Sequence, residues 1–381
     1  MQTKHIFVMV FFVLSFIFAT VFILPAAAGE LELNPLRGTF FLSDQDLGEN
    51  ADNAVAVGDL DGDTDLDVIF MNRVWLNDSR GNFTEKGQEP GFGSFKFEIA
   101  LADIDNDDDL DLVTAMPGPN EIWLNDGDAG FSNSGQGLGS SGSWALAVGD
   151  VDDDDDVDVV FTNDGSPHEL YLNNGSGVFT AGNQDLGNAG YRAVALEDVD
   201  GNQTLDAFFA DCSLYTNDGN GVFTFKENSS CSPPDPVTLV MGDIDGDMDT
   251  DAIIGNATLN PNMVMVNDGD GNFSNSGQML GVNSTEQVAL ADVDLDGDLD
   301  LFSGNTTELG GEPADQIWMN DGQGVFTDSG QTLGNTNSSG AVFGDIDGDG
   351  DPDLLVGTNL GANKLYVNGR NGVYLAIVLK D

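Results

Sequence analysis

The chain has 381 residues and a formal net charge of −55, and only 11 of its residues are Lys or Arg. Phosphate backbones and anionic membranes are gripped by Lys and Arg, so this balance excludes nucleic-acid and acidic-membrane partners. A hydrophobic content of 40%, with 24 Phe and 49 Gly, also excludes a disordered acidic tail, which would be poor in aromatics.

The first predicted element is a targeting segment. Lys4 and His5 precede the run "IFVMVFFVLSFIFATVFILP", and "AAAGE" follows. Ala26-Ala27-Ala28 fits an A-x-A cleavage site, so residues 1–28 read as a signal peptide and 29–381 as the mature chain. The run is also long enough to span a bilayer as an uncleaved anchor. Next, "GTFFLSDQDLG" at 38–48 reads as a single strand with a tail.

From residue 53 onward one grammar repeats seven times. A short apolar strand, such as "NAVAVGD" or "WALAVGD", leads into an acidic nonapeptide, which runs into a second strand such as "LDVIFMN". A third strand ("RVWLND", "ELYLNN", "KLYVNG") and an Asn-Asp or Asn-Gly turn lead to a fourth ("GNFTE", "GVFTD"). The nonapeptides begin at Asp59, Asp103, Asp150, Asp198, Asp243, Asp292 and Asp345, 44 to 53 residues apart. A fixed period of this length marks a repeat architecture, and four antiparallel strands per repeat predict an all-β, seven-bladed β-propeller.

The Phe that opens strand four (Phe83, Phe131, Phe179, Phe223, Phe273, Phe326) and the strand-three aromatic (Trp75, Trp123, Tyr171, Tyr215, Trp318, Tyr366) read as packing between blades. Both "GTFFLSDQDLG" and the C-terminal "NGVYLAIVLKD" have the pattern of a fourth strand. That makes eight candidates for seven places, and the pattern does not choose between them. Cys212 and Cys231, the only cysteines, lack the C-x-x-C spacing of a redox pair and are expected to form a structural disulfide.

The nonapeptides hold 36 of the 66 acidic residues. So much carboxylate in so few residues needs a counter-charge. Oxygen side chains at positions 1, 3, 5 and 9 of each can converge on one ion, with the carbonyl of position 7 as a further donor. These are Asp59, Asp61, Asp63 and Asp67; Asp103, Asp105, Asp107 and Asp111; Asp150, Asp152, Asp154 and Asp158. The remaining copies supply Asp198, Asp200, Asn202 and Asp206; Asp243, Asp245, Asp247 and Asp251; Asp292, Asp294, Asp296 and Asp300; and Asp345, Asp347, Asp349 and Asp353. With oxygen donors only and a flexible loop, the expected ion is Ca²⁺, up to seven per chain. The loop is not an EF-hand, because Phe70 stands where position 12 would supply Glu.

This "GD-x-D-G-D-x-D-x-D" motif, followed by an apolar strand, "LYLN" or "IWLN", then "DGxGxF" and "LG", resembles the FG-GAP / VCBS repeat family over roughly residues 35–381. The resemblance implies a calcium-binding propeller similar to the head of integrin α subunits. It also implies calcium between strands one and two, an extracellular location, and partners bound on the opposite face.

On that opposite face, six residues before each nonapeptide, stand Asn53, Phe97, Trp144, Arg192, Val237, Glu286 and Ser339, with Tyr191 beside Arg192. Phe97, Trp144, Tyr191 and Arg192 are the candidate ligand contacts: aromatic planes and one cation for a sugar ring or a peptide. The expected function is a secreted or cell-surface, non-catalytic recognition or adhesion module for an extracellular glycan or protein. A polysaccharide lyase or hydrolase is the alternative. Against catalysis, His168 is the only mature histidine and no G-x-S-x-G motif is present, so no catalytic residue is assigned.

Overall fold

The computed structural model describes residues 37–48, 54–70, 73–88, 98–163, 165–187, 192–228, 230–306, 314–334, 337–359 and 361–369. Phe97, Tyr191, the signal segment and "NGVYLAIVLKD" lie outside these residues.

The described strands form seven four-stranded antiparallel sheets, and no helix occurs among them. Blade one contains Val55–Gly58, Asp67–Phe70, Arg73–Leu76 and Thr84–Gln88, paired in that order. Five further blades repeat the order along the chain. Two of their fourth strands are only two residues long, Thr180–Ala181 in blade three and Ser274–Asn275 in blade five.

Strand two is buried on both faces, which is why its apolar residues run without alternation. In Asp158–Asn163, Val159 and Phe161 pack into the interface with blade two, and Val160 packs into the interface with blade four. Each of the seven interfaces between neighbouring blades has its own apolar cluster. The aromatics of strands three and four sit there, for example Trp123 with Phe131 and Tyr171 with Phe179. The closest-packed core of this protein is therefore a ring of interfaces.

Blade seven settles which candidate closes the circle. Phe40–Leu42 pairs antiparallel with Lys364–Asn368, so the N-terminal segment supplies the outermost strand. Side-chain staples fix it in place. In several blades a Gln late in strand four or just beyond it reaches the next blade, accepting from the N–H of the Phe at the start of that blade's strand four and donating to a nearby glycine carbonyl. Gln136 does this with Phe179 and Gly177, and Gln184 with Phe223 and Gly221. Gln331 of blade six holds Phe40 and Gly38 in the same way, and Gln45 holds Phe83 and Gly81 of blade one. The N-terminal strand is thus stapled on both sides as an internal one would be.

Blade four lacks this Gln. There Cys231 is bonded to Cys212 and both are buried in the interface with blade five. Cys231 fills the place that Leu47, Leu138, Leu186, Leu280 and Leu333 plug after the other fourth strands.

Candidate metal centres and channel mouth

Each acidic nonapeptide links strand one to strand two. Its fourth and sixth residues have positive φ in all seven copies, although several are not glycine: Thr64 at 76°, Met248 at 74°, Leu295 at 59°. Such conformations cost about 1 kcal/mol or more for a residue with a Cβ. The carboxylate at position 1 compensates by accepting the N–H groups of the bend. Asp59 takes those of Gly62, Asp63 and Thr64 at 2.8–3.1 Å, and Asp150 those of Asp153, Asp154 and Asp155 at 2.8–3.2 Å.

Position 9 opens strand two and is buried in every copy: Asp67, Asp111, Asp158, Asp206, Asp251, Asp300 and Asp353. One of its oxygens accepts the backbone N–H of position 2 at 3.0–3.3 Å. The other accepts the N–H of the Asn that ends strand three, at 2.7–2.8 Å. Burial nevertheless pushes these carboxyls up, to about 6 for Asp67 and about 7 for Asp158 and Asp353.

Positions 1, 3 and 9 converge. Oxygens of Asp59, Asp61 and Asp67 lie within 4.8 Å of one another, as do those of Asp103, Asp105 and Asp111, of Asp150, Asp152 and Asp158, of Asp198, Asp200 and Asp206, and of Asp243, Asp245 and Asp251. The position-3 carboxylate carries the signature of a missing partner. Oδ1 of Asp61, Asp105, Asp152, Asp200, Asp245 and Asp347 is buried and accepts no hydrogen bond. A buried carboxylate oxygen left without a donor costs about 1–3 kcal/mol or more, and a cation at the point of convergence removes that cost. The donor set fits a hard divalent ion.

Position 5 behaves differently from the expectation of a simple four-point chelate. In all seven copies its Oδ1 accepts the N–H of position 7, at 2.8–3.2 Å. One oxygen of Asp63, Asp107, Asp154, Asp247, Asp296 and Asp349 therefore shapes the loop, which leaves the other to face an ion; Asn202 has only the one oxygen, and it accepts from Thr204 while its amide nitrogen donates to Asn217 O.

The Asn that ends strand three is a residue the sequence reading treated only as part of a turn. Asn77, Asn125, Asn173, Asn217, Asn267, Asn320 and Asn368 are all buried. Each donates its side-chain N–H to the position-2 carbonyl of the neighbouring blade's acidic loop, at 2.7–2.9 Å. Its recurrence in all seven third strands was the available signal.

On the opposite face a cavity of about 170 Å³ opens at the start of the first strands. Trp144, Arg192, Val237, Glu286 and Ser339, one from each of five blades, line it together, with Glu98 and Gln287. The Arg192 guanidinium lies 4.7 Å above the Trp144 ring and 3.9 Å from a Glu286 oxygen. The face proposed as a stacking platform is therefore already covered by the protein's own cation. Glu98, which the sequence reading passed over, accepts one N–H from Leu146 at 3.0 Å, and burial pushes its carboxyl up to about 7.

His168 is 2% exposed. Its ring stacks on Phe209 at 4.8 Å, and Nδ1 accepts the backbone N–H of Asn163 at 3.1 Å. Asn120, Asn262 and Asn363 accept the corresponding N–H in blades two, five and seven. The histidine is thus a variant of a repeated corner and stands apart from the cavity.

FG-GAP-like repeats match the sequence at residues 103–161, 243–303 and 292–356. No curated protein matches the chain. Among solved structures, an Agrocybe aegerita lectin described as recognising non-reducing terminal N-acetylglucosamine is 20% identical, with a TM-score of 0.51, over 80% of this chain and 85% of its own. BBS1N, solved in complex with ARL6DN, is 11% identical with a TM-score of 0.60, over 89% and 99%. An ancestral GH74 enzyme is 12% identical with a TM-score of 0.53, over 87% and 48%. At these identities the likeness is one of fold alone. The matched stretches, however, each contain this chain's own acidic loop with the strands around it, so the chain carries FG-GAP-like repeats there, and the same unit of strand, acidic loop and strand recurs in every blade.

Proposed function

We propose that this protein is a secreted or cell-surface, calcium-binding recognition module without catalytic activity, which takes an extracellular glycan or protein at the channel mouth. The observation that carries this reading is the division of labour between the two faces. One face repeats the same carboxylate cluster, with its position-9 member buried, seven times, as a structural ion site would. The other brings different side chains from five blades to one cavity. Calcium, held by positions 1, 3, 5 and 9 of each loop, would supply the charge that lets these carboxylates stay ionised beside one another. A disulfide and the apolar N-terminal run support an extracytoplasmic location. Phe97 and Tyr191 adjoin Glu98 and Arg192 in sequence and remain candidate contacts with Trp144 and Arg192.

The test is a glycan array probed with mature residues 29–381, with calcium and then with chelator. Calcium-dependent hits that vanish in Trp144→Ala support the glycan form of the reading. A blank array on folded protein moves the ligand to the protein class, to be sought by pull-down.

One observation favours a second reading, a polysaccharide-active enzyme. Glu98 and Glu286 share one cavity, and Glu98 keeps its proton up to about pH 7, as a general acid must. Turnover of any polysaccharide that disappears in Glu98→Gln would establish it.

A further inference from the structure

We propose, resting on the calcium reading above, that the acidic loop of blade four is the weakest of the seven ion sites: six ions bind tightly, and the seventh only at higher calcium. In the other six loops, positions 1, 3, 5, 7 and 9 are all Asp. Blade four keeps only Asp198, Asp200 and Asp206 of these, because Asn202 stands at position 5 and Thr204 at position 7. The three carboxylates still converge, with oxygens within 4.8 Å of one another, and Oδ1 of Asp200 is buried without a donor. A site is therefore present, but those five positions carry two negative charges fewer than in any other loop. Ligand charge is one of the two quantities that set the affinity of an oxygen-donor calcium loop, and site rigidity is the other.

Hydrogen bonding removes a ligand as well. In the other loops the position-5 carboxylate gives one oxygen to the N–H of position 7 and keeps a second, as Asp63, Asp154 and Asp296 do. The one oxygen of Asn202 accepts the N–H of Thr204 at 2.8 Å. The Thr204 hydroxyl stands 2.5 Å from that oxygen and 3.1 Å from the Asn217 carbonyl, and can donate to either. Nδ2 of Asn202 donates to the same carbonyl at 3.3 Å. Turning the amide over would set its NH2 against the N–H of Thr204, so the network fixes which way it points. What stands in place of the second carboxylate oxygen is then a nitrogen that only donates, and it cannot ligate a cation. The hairpin that carries Asn217 is also covalently closed: Cys212 precedes Leu214–Asn217, and Cys231 follows Phe223–Lys226. The blade with the fewest loop carboxylates is thus the one whose hairpin is held by a disulfide and tied to the loop by uncharged side chains.

The test is equilibrium dialysis of mature residues 29–381 against a calcium series, counting the ions bound per chain. Six ions should bind first, and a seventh should half-saturate at about tenfold or more higher calcium. Asn202→Asp/Thr204→Asp, which gives the loop the carboxylates of the other six, should bring the seventh ion in with the rest. Asp63→Asn/Asp65→Thr, which gives blade one the pair that blade four carries naturally, should leave five tight ions. Seven equivalent ions in the wild type, or an unchanged count in both variants, overturn the proposal and leave the calcium reading standing. No bound calcium at any concentration overturns both. The wild-type count decides alone if a variant does not fold.

Discussion

His168 and Asp315 occupy equivalent corners of blades three and six, and each replaces an Asn found elsewhere in the ring. Both accept a backbone N–H from the end of strand two, and both are buried. Burial is the first cause of both shifts, and the signs are opposite. It pushes the His168 imidazolium down to about 4, so the folded state binds fewer protons than the unfolded chain. Stability is then lost as the pH falls from about 6.5 towards 4, by about 2 kcal/mol at pH 5. His168→Asn should flatten thermal stability between pH 7 and pH 5 relative to wild type. An unchanged slope would show that the ring is not held neutral. Burial pushes the Asp315 carboxyl up to about 7, so its folded form is favoured while protonated and that contribution is lost as the pH rises from about 4 through 7. Asp315→Asn should therefore stabilise the protein by about 1–2 kcal/mol at pH 8, with the gain fading towards pH 5. Asn120 shows that the substitution fits, since it donates to Ser143 Oγ where Asp315 accepts from Ser338 Oγ. Equal melting temperatures of the two proteins at pH 8 would contradict it.

Between elements, the recurring Asn at the end of strand three decides more than a turn does. Asn320 ties its backbone N–H to Asp300 in its own blade and its side chain to Ile244 O in the acidic loop of blade five. Asn320→Ala should cost about 1–3 kcal/mol, because buried carbonyls lose their donor. The exposed Asn220→Ala should change stability by less than about 0.5 kcal/mol, as surface substitutions usually do. Chemical denaturation of the two variants side by side measures the difference. The role of Asn320 was only half legible in the sequence. Recurrence picks the residue out, but a staple to the preceding blade spans 76 positions of chain and leaves no local pattern. The strands and acidic loops were readable for the opposite reason: alternation, turn residues and carboxylate spacing are all local. The channel mouth was readable as a set of equivalent positions, but not in its contacts. Nothing in the sequence says that Arg192 lies on Trp144, or that Glu98 lines the same cavity.

At the scale of the whole ring, the N-terminal strand could not be chosen from the sequence because two segments fit the same place equally well. The choice rests on pairing with Lys364–Asn368 and on the Gln331 staple. A closed ring distributes any weakness, and here the weakness is charge. Each acidic loop gathers carboxylates whose repulsion a bound cation would relieve, and each loop is also hydrogen-bonded to the next blade through its Asn. Releasing calcium should therefore loosen interfaces all around the ring together, and no single blade should melt alone. If a site binds at about 10⁻⁴ M, as extracellular modules often do, calcium at about 10⁻² M contributes about 2.7 kcal/mol through that site. Several such sites add up to much of the stability of an ordinary domain. The expected outcome is a single cooperative transition that moves up steeply as calcium rises from micromolar to millimolar and collapses with chelator, while Mg²⁺ at the same concentration has a much smaller effect. Superimposable melting curves with calcium and with chelator would mean that protons or backbone donors alone satisfy the seven loops, and the metal assignment would fall with them.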